Sequence, residues 1–403
     1  MKYNFDEIID RSNTDSLKYD FAEKRGMPED LLPMWVADMD YRAPEPVIEA
    51  LQSTVSHGIF GYSESRDDYY LVLEKWFLSQ FNWQIKPKWL VKTPGVVYAI
   101  SQAVRAFTKE GEGVLIQEPV YYPFRQTIAI NKRKVVVNQL VYNHGKYEID
   151  FEDFEACIQR EQVKLFILCS PHNPVGRVWT KEELIRMGDI CLKHDVLIIA
   201  DEIHSDFTFN GITHHVFADL KPAYLEYTIT CTAPSKTFNL AGLQISNIFI
   251  ANQDYKKRFK KEMEKGGYSQ LNIMGIVACR AAYNHGQEWL SQLKVYLNAN
   301  LEYVRSFVNT ELEGVKLVEP EGTYLIWLDF SEYLQKQGLT DQQLSQLIVH
   351  EGKLWLDDGN IFGQGGHGFQ RINMACPRSI LEKGMEQLAE ALKSEYSQQP
   401  YRI

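Results

Sequence analysis

The sequence predicts an α/β protein: a large domain on a mainly parallel sheet sandwiched by helices, plus a smaller α+β domain drawn from both termini. Three observations carry this. Short apolar runs alternate with helical patterns through the middle of the chain, the signature of βαβ units with a sheet covered on both faces. Near residues 275–310 the pattern changes to long helical stretches, followed by two alternating strands. At 403 residues the chain is also too long for one simple core. The expected division is a large domain over 50–285 and a small one over 1–49 and 286–403.

The elements follow in order. "TPGVVYAISQAVRAF" (93–107) has helical apolar spacing after a Pro-Gly start, and "EGVLIQEPVYYPF" holds a short strand that stops at a proline. "VKLFILC" (163–169) reads as a buried strand leading into the loop "SPHNPVG". "TKEELIRMGDICLKHD" is a helix with a threonine cap and an acidic first turn. "VLIIADEIHSDFTF", "YTITCT" and "ISNIFIAN" are further buried strands. "TYLIWLDF" and "FQRINMAC" are the late alternating strands, and "ILEKGMEQLAEALKSEY" is the last helix.

Composition excludes several functions. Hydrophobic residues at 45% and charged ones at 24% are ordinary for a globular protein. A net charge of −10 argues against nucleic acid or an anionic membrane as the main partner. The start, "MKYNFDEIIDRSNTDSLKYD", has no apolar signal region, and no run approaches the ~20 residues that span a bilayer. Six scattered cysteines without a C-x-x-C pair fit reduced thiols, so the expected location is cytoplasmic. No metal site is expected: His214 and His215 lack ligand spacing, and no H-E-x-x-H is present. "GQGGHG" (363–368) matches the dinucleotide fingerprint, but a strand follows it where that motif needs a helix, so it reads as a glycine loop.

In open α/β sheets, ligands bind beyond the carboxyl ends of the strands. There the sequence places Asn173 after "KLFILC", Asp201 and His204 after "VLIIA", and Ser235 and Lys236 after "YTITCT". Tyr121 and Tyr122 end another strand, and the helix opening at Gly95, Val96 and Val97 offers free amides for a phosphate. A lysine holds an aldehyde as a Schiff base, and a carboxylate keeps a pyridine nitrogen protonated. An amide donates to a phenolic oxygen, and an aromatic ring stacks. Pyridoxal 5′-phosphate carries all of these partners.

The order "NPVG", "ADEIH", "SKTF" and a late arginine in "FQRINMACPR" resembles the fold-type I, aminotransferase-like enzymes that use this cofactor. "MWVADMDY" (34–41), "APSKTFNLAGLQ" (233–244) and "GNIFGQGGHGFQRINMACPR" (359–378) resemble their cystathionine β-lyase / cysteine C–S lyase (MalY/PatB-type) branch. The resemblance spans nearly the whole chain and implies a seven-stranded sheet. It makes Lys236 the Schiff-base lysine and Cα base, Asp201 the partner of the ring nitrogen, and Asn173 the donor to the phenolic oxygen. Tyr121 stacks on the ring and counts with Lys236 as catalytic; His204 is a ring neighbour without an assigned role. Gly95, Val96, Val97 and Ser235 hold the phosphate, and Tyr62 reaches the phosphate of a neighbouring subunit, implying a homodimer with shared sites. Arg371 grips the substrate α-carboxylate, with Asn173 and Tyr122 beside it. Two positions depart from the aminotransferase pattern: Ala233 and Gln244 stand where serine and arginine ordinarily serve the phosphate.

The implied reaction is α,β-elimination from a sulfur amino acid to a thiol, pyruvate and ammonia. An aminotransferase on the same scaffold is the first alternative. A protein of this fold acting mainly through a regulatory partner is the second.

Overall fold

The computed structural model describes residues 2–394, so the expected last helix is seen as Arg378–Lys393 while Glu395 and Tyr396 lie outside the described residues. Fifteen strands occur among the described residues. They begin with β1 (Leu32–Pro33), β2 (Leu90–Thr93), β3 (Gly113–Glu118), β4 (Lys134–Gln139), β5 (Val141–Asn143) and β6 (Lys146–Glu148). The middle of the chain supplies β7 (Leu165–Cys169), β8 (Leu197–Asp201), β9 (Thr228–Thr232) and β10 (Ser246–Ile250). The last are β11 (Lys316–Val318), β12 (Leu325–Asp329), β13 (Leu354–Trp355), β14 (Asp357–Asp358) and β15 (Phe369–Asn373).

Seven strands form the central sheet in the order β2-β10-β9-β8-β7-β3-β4. The run from β9 to β4 is parallel, while β10 lies antiparallel to both β9 and β2. Every residue of β3, β7, β8, β9 and β10 is buried, as continuous apolar runs covered by helices on both faces require. The reversal at β10 has a local cause. A parallel crossover needs a full helix, and between β9 and β10 the chain forms only the short helix Pro234–Thr237 and a 3₁₀ turn at Ala241–Leu243. The connection therefore stays at one end of the sheet and keeps Lys236 there.

The register aligns Cys169 with Asp201 and Asp201 with Cys231. The carboxyl ends of β7, β8 and β9 are thus level, and the residues that follow them open onto the same space. Helices on the sheet start as their caps dictate: Thr180 and Glu183 close a reciprocal capping box, and Asp150 accepts from the amides of Glu152 and Asp153.

A second sheet, antiparallel in the order β11-β12-β15-β14, follows the helix Gln287–Glu311. Its strands β12 and β15 were expected to alternate between core and solvent, yet all their residues are buried, because helices and loops cover both faces. β1 pairs in parallel with β13, tying the N-terminal segment to this later part of the chain. The expected boundary at residue 50 falls inside the helix Glu45–His57, whereas that at 285 coincides with the end of the helix Ile273–His285. No helix among the described residues is long and apolar enough to cross a membrane.

Candidate active site

At the carboxyl end of the central sheet lies a cavity of about 210 Å³. Its walls include Gly95, Val96, Val97, Tyr121, Asn173, Asp201, His204, Ser235 and Lys236, nine residues singled out from sequence. Ala37, Tyr98, Cys169 and Ile203 complete much of the rest.

Lys236 turns its amine into this space and donates to the Ala37 carbonyl at 2.7 Å. Burial pulls the ammonium down to about 8, with Arg371 acting in the same direction and Asp38 and Asp201 opposing. Across the cavity, Asp201 is 5% exposed. Its Oδ1 accepts the Ile203 amide at 3.2 Å, and among the described residues no group donates to Oδ2. Burial pushes this carboxyl up to about 7; the Ile203 amide and Lys236 counteract it only in part. A buried carboxylate with an idle oxygen calls for a proton-bearing partner.

Asn173 is held by its backbone, whose carbonyl accepts the Tyr121 amide at 3.0 Å. Its Oδ1 accepts from Arg371 Nη1 at 2.9 Å, which leaves the amide NH₂ as the free donor. The helix Val96–Phe107 opens at Gly95 with no side-chain cap, so its first amides have no partner among the described residues. His204 meets the Tyr324 ring edge-on at 5.7 Å and keeps a buried Nδ1 without a hydrogen bond. Burial, then the charges of Lys236 and Arg371, hold its imidazole neutral.

Two candidates stand beside the cavity and not in its wall. Tyr122 is half-buried and packs against Tyr121 and Phe362, with ring centroids 5.5 and 6.2 Å away. Arg371, on β15, is 3% exposed. Besides Asn173, it donates to the Trp35 carbonyl at 2.9 Å and pairs with Asp357. The carboxylate grip that the resemblance implies for Arg371 is therefore not free: an incoming carboxylate competes with Asp357 for one edge of the guanidinium. Tyr62 is fully exposed and lies outside the cavity, in a groove that Phe60, Tyr268 and Leu271 also line. The two spaces adjoin, since Tyr98 of the cavity packs on Tyr268 of the groove at 5.5 Å.

Sequence reasoning assigned no role to the strap Met34–Tyr41, which forms one wall. Asn373 Nδ2 donates to the carbonyls of Val36 and Asp38, and Asn239 binds Met39 through both its amide and its carbonyl. Arg11 and the buried Lys18 pair with Asp38 and Asp40 and fix the strap from below. Tyr324 Oη donates at 3.0 Å to the same Ala37 carbonyl that receives Lys236. Backbone carbonyls leave no mark in a sequence, so Ala37 had no signal. Asp357 had one, an acid just before the glycine loop. That loop earns its glycines by close approach: a Cβ at Gly366 would stand 1.8 Å from the Gly359 carbonyl, and one at Gly363 2.2 Å from Glu118.

These groups fit pyridoxal phosphate on their own chemistry. The amine is lowered to about 8, and among the described residues the Asp201 Oδ2 lacks a donor and the Asn173 NH₂ an acceptor, while the free helix amides suit a phosphate.

Comparison with known proteins agrees. The profile of the family described as aminotransferase class I and II matches residues 30–392. Cystathionine beta-lyase PatB of Bacillus subtilis (strain 168) is 42% identical, over 96% of this chain and 100% of its own. Protein MalY of Escherichia coli (strain K12) is 33% identical, over 97% and 99%. The solved structure of cystalysin from Treponema denticola, which contains pyridoxal 5′-phosphate, superposes with a TM-score of 0.93 at 37% identity, covering 98% of this chain and 99% of that one.

Proposed function

This chain belongs to the class I and II aminotransferase family, and from that premise we propose that it is a pyridoxal-phosphate-dependent carbon–sulfur β-lyase. It cleaves cystathionine, cysteine or a related S-substituted cysteine by α,β-elimination to a thiol, pyruvate and ammonia. The observation that carries this reading is a lysine amine lowered to about 8, in one cavity with a donor-starved Asp201 and open helix amides.

When bound, the cofactor supplies an aldehyde that condenses with amines and a ring that accepts the electron pair left at Cα. Asp201 keeps a proton on the ring nitrogen through its idle Oδ2. Asn173 Nδ2 donates to the phenolic oxygen, Tyr121 covers a ring face, and the amides of Gly95, Val96 and Val97 with Ser235 take the phosphate. Arg371 orients the substrate through its α-carboxylate, flanked by Asn173 and Tyr122. Lys236 Nζ, half of it unprotonated near pH 8, removes the Cα proton. The sulfur substituent then leaves from Cβ as a thiol or thiolate. His204, neutral and edge-on to Tyr324, shapes the wall without carrying charge.

We further infer a cytoplasmic homodimer. The six cysteines are free and buried, as in a reducing compartment. Ile59, Phe60 and Tyr62 are 72%, 59% and 100% exposed, and the groove they border adjoins the cavity through Tyr98 and Tyr268. A second copy seated there covers this apolar segment and brings Tyr62 toward the phosphate of its neighbour. We assign residues through 285 to the large domain, moving its first boundary from residue 50 to Pro44, where the helix Glu45–His57 begins.

The test is a pyruvate assay on the purified, cofactor-loaded protein with cystathionine or cysteine and no keto-acid acceptor. Pyruvate without acceptor is expected, and Lys236→Ala should lower its rate by about 10³-fold. Pyruvate only when an acceptor is present would establish the aminotransferase instead.

A further inference from the structure

Beside the strap that carries Ala37, against Trp35, stands an arginine that the mechanism does not use. Arg25 closes a 3₁₀ turn, Glu23–Arg25, and is exposed. Its guanidinium lies 5.5 Å from the centre of the Trp35 indole, and among the described residues its side chain has no ion pair or hydrogen bond. Eight other guanidiniums among the described residues pair with carboxylates, the buried Arg177 and Arg371 among them.

Trp35 ties this free charge to the substrate end of the site. Its carbonyl accepts Arg371 Nη2, and its indole stacks on Trp355 at 4.4 Å with the planes 14° apart. One tryptophan therefore carries the α-carboxylate arginine on its backbone and a second arginine on its ring. The Tyr122 phenol, raised chiefly by burial, lies within electrostatic range of Asp357, Arg371 and Arg25 alike. The charges do not balance there. Arg371 is neutralised by Asp357, whereas Arg25 has no counter-ion among the described residues, although the chain carries a net charge of −10. A guanidinium resting on an indole keeps its plane fixed and its N–H edges pointed outward, ready for a carboxylate.

We propose that Arg25 is the specificity residue for the leaving-group arm. It receives a carboxylate at the far end of the sulfur substituent, so the preferred substrates are S-substituted cysteines whose substituent ends in an anionic group, as in cystathionine. Neutral or short substituents lack this contact. The assignment rests on the lyase reading, and it adds which member of that substrate class the site selects.

The experiment measures pyruvate release from cystathionine and from S-ethylcysteine by the loaded enzyme, Arg25→Gln and Arg25→Lys. In Arg25→Gln the cystathionine to S-ethylcysteine ratio of kcat/KM is expected to fall about tenfold, carried by KM for cystathionine and partly restored in Arg25→Lys. A ratio that stays within about twofold, or a loss shared by both substrates through kcat, overturns the assignment while leaving the lyase intact. Calorimetric titration of cystathionine into Lys236→Ala and into the Lys236→Ala/Arg25→Gln double variant reads binding without turnover. About tenfold weaker binding in the double variant supports Arg25 even if the parent releases no pyruvate, an outcome that would overturn the lyase reading alone; equal binding overturns Arg25.

Discussion

Burial disfavours the charged form of both Asp201 and Lys236, and their pH dependence follows with opposite signs. In the protein stripped of cofactor, the Asp201 carboxyl, raised to about 7 by burial, binds its proton more tightly than in the unfolded chain. Its stabilising contribution is full below the ordinary carboxylate range, is lost as pH rises from about 4 through 7, and stays lost above that. Cofactor-free Asp201→Asn should therefore match the parent in thermal stability near pH 4 and exceed it at pH 8, by on the order of a few kcal/mol. Denaturation curves at both pH values check this. Lys236, lowered to about 8, makes free amine as pH rises through that value, so cofactor capture by the stripped protein should accelerate up to about pH 8 and then level. Stopped-flow absorbance reads the rate. Asn173, Asp201 and Lys236 could be singled out in the sequence because each lies at, or within four residues of, the carboxyl end of a buried strand. Asp357 and Ala37 were not, since the first acts by occupying Arg371 and the second only through its carbonyl.

Among the elements, the strap Met34–Tyr41 governs how well the amine is aimed. Asn239 donates to two of its carbonyls, and Asn373 donates to two more and accepts the Ala375 amide. Asn373→Ala leaves these buried groups unpaired, at a cost of about 1–3 kcal/mol, and frees the wall that bears Ala37. A lower melting temperature together with a raised KM is the expected result, measured on the loaded enzyme. Most buried strands could be read from their apolar runs. The reversed direction of β10 could not, because direction is set by the short crossover at Ala241–Leu243 and not by the strand. β4 went unread as well: it is an edge strand beginning at exposed Lys134, and its mixed pattern resembles a loop.

For the whole molecule, the exposed run Ile59–Tyr62 is the feature that a monomer leaves unexplained. Sedimentation of the purified protein should show a dimer. Tyr62→Ala should keep that dimer, yet weaken cofactor retention during dialysis by several-fold, since it removes only the contact reaching across. A monomer in the parent protein would remove the basis for a shared site.

The pairing of β1 with β13 also bears on how the protein is made. A ribosome well past the Lys236 turn but short of Leu354 has made the reactive lysine, but not the strand against which β1 lies. Until the final portion is translated, the reactive amine sits without its wall, open to any aldehyde in the surroundings. Vitamin capture in the native arrangement is then among the last events in the life of the nascent polypeptide, whatever the order in which its sheet assembles.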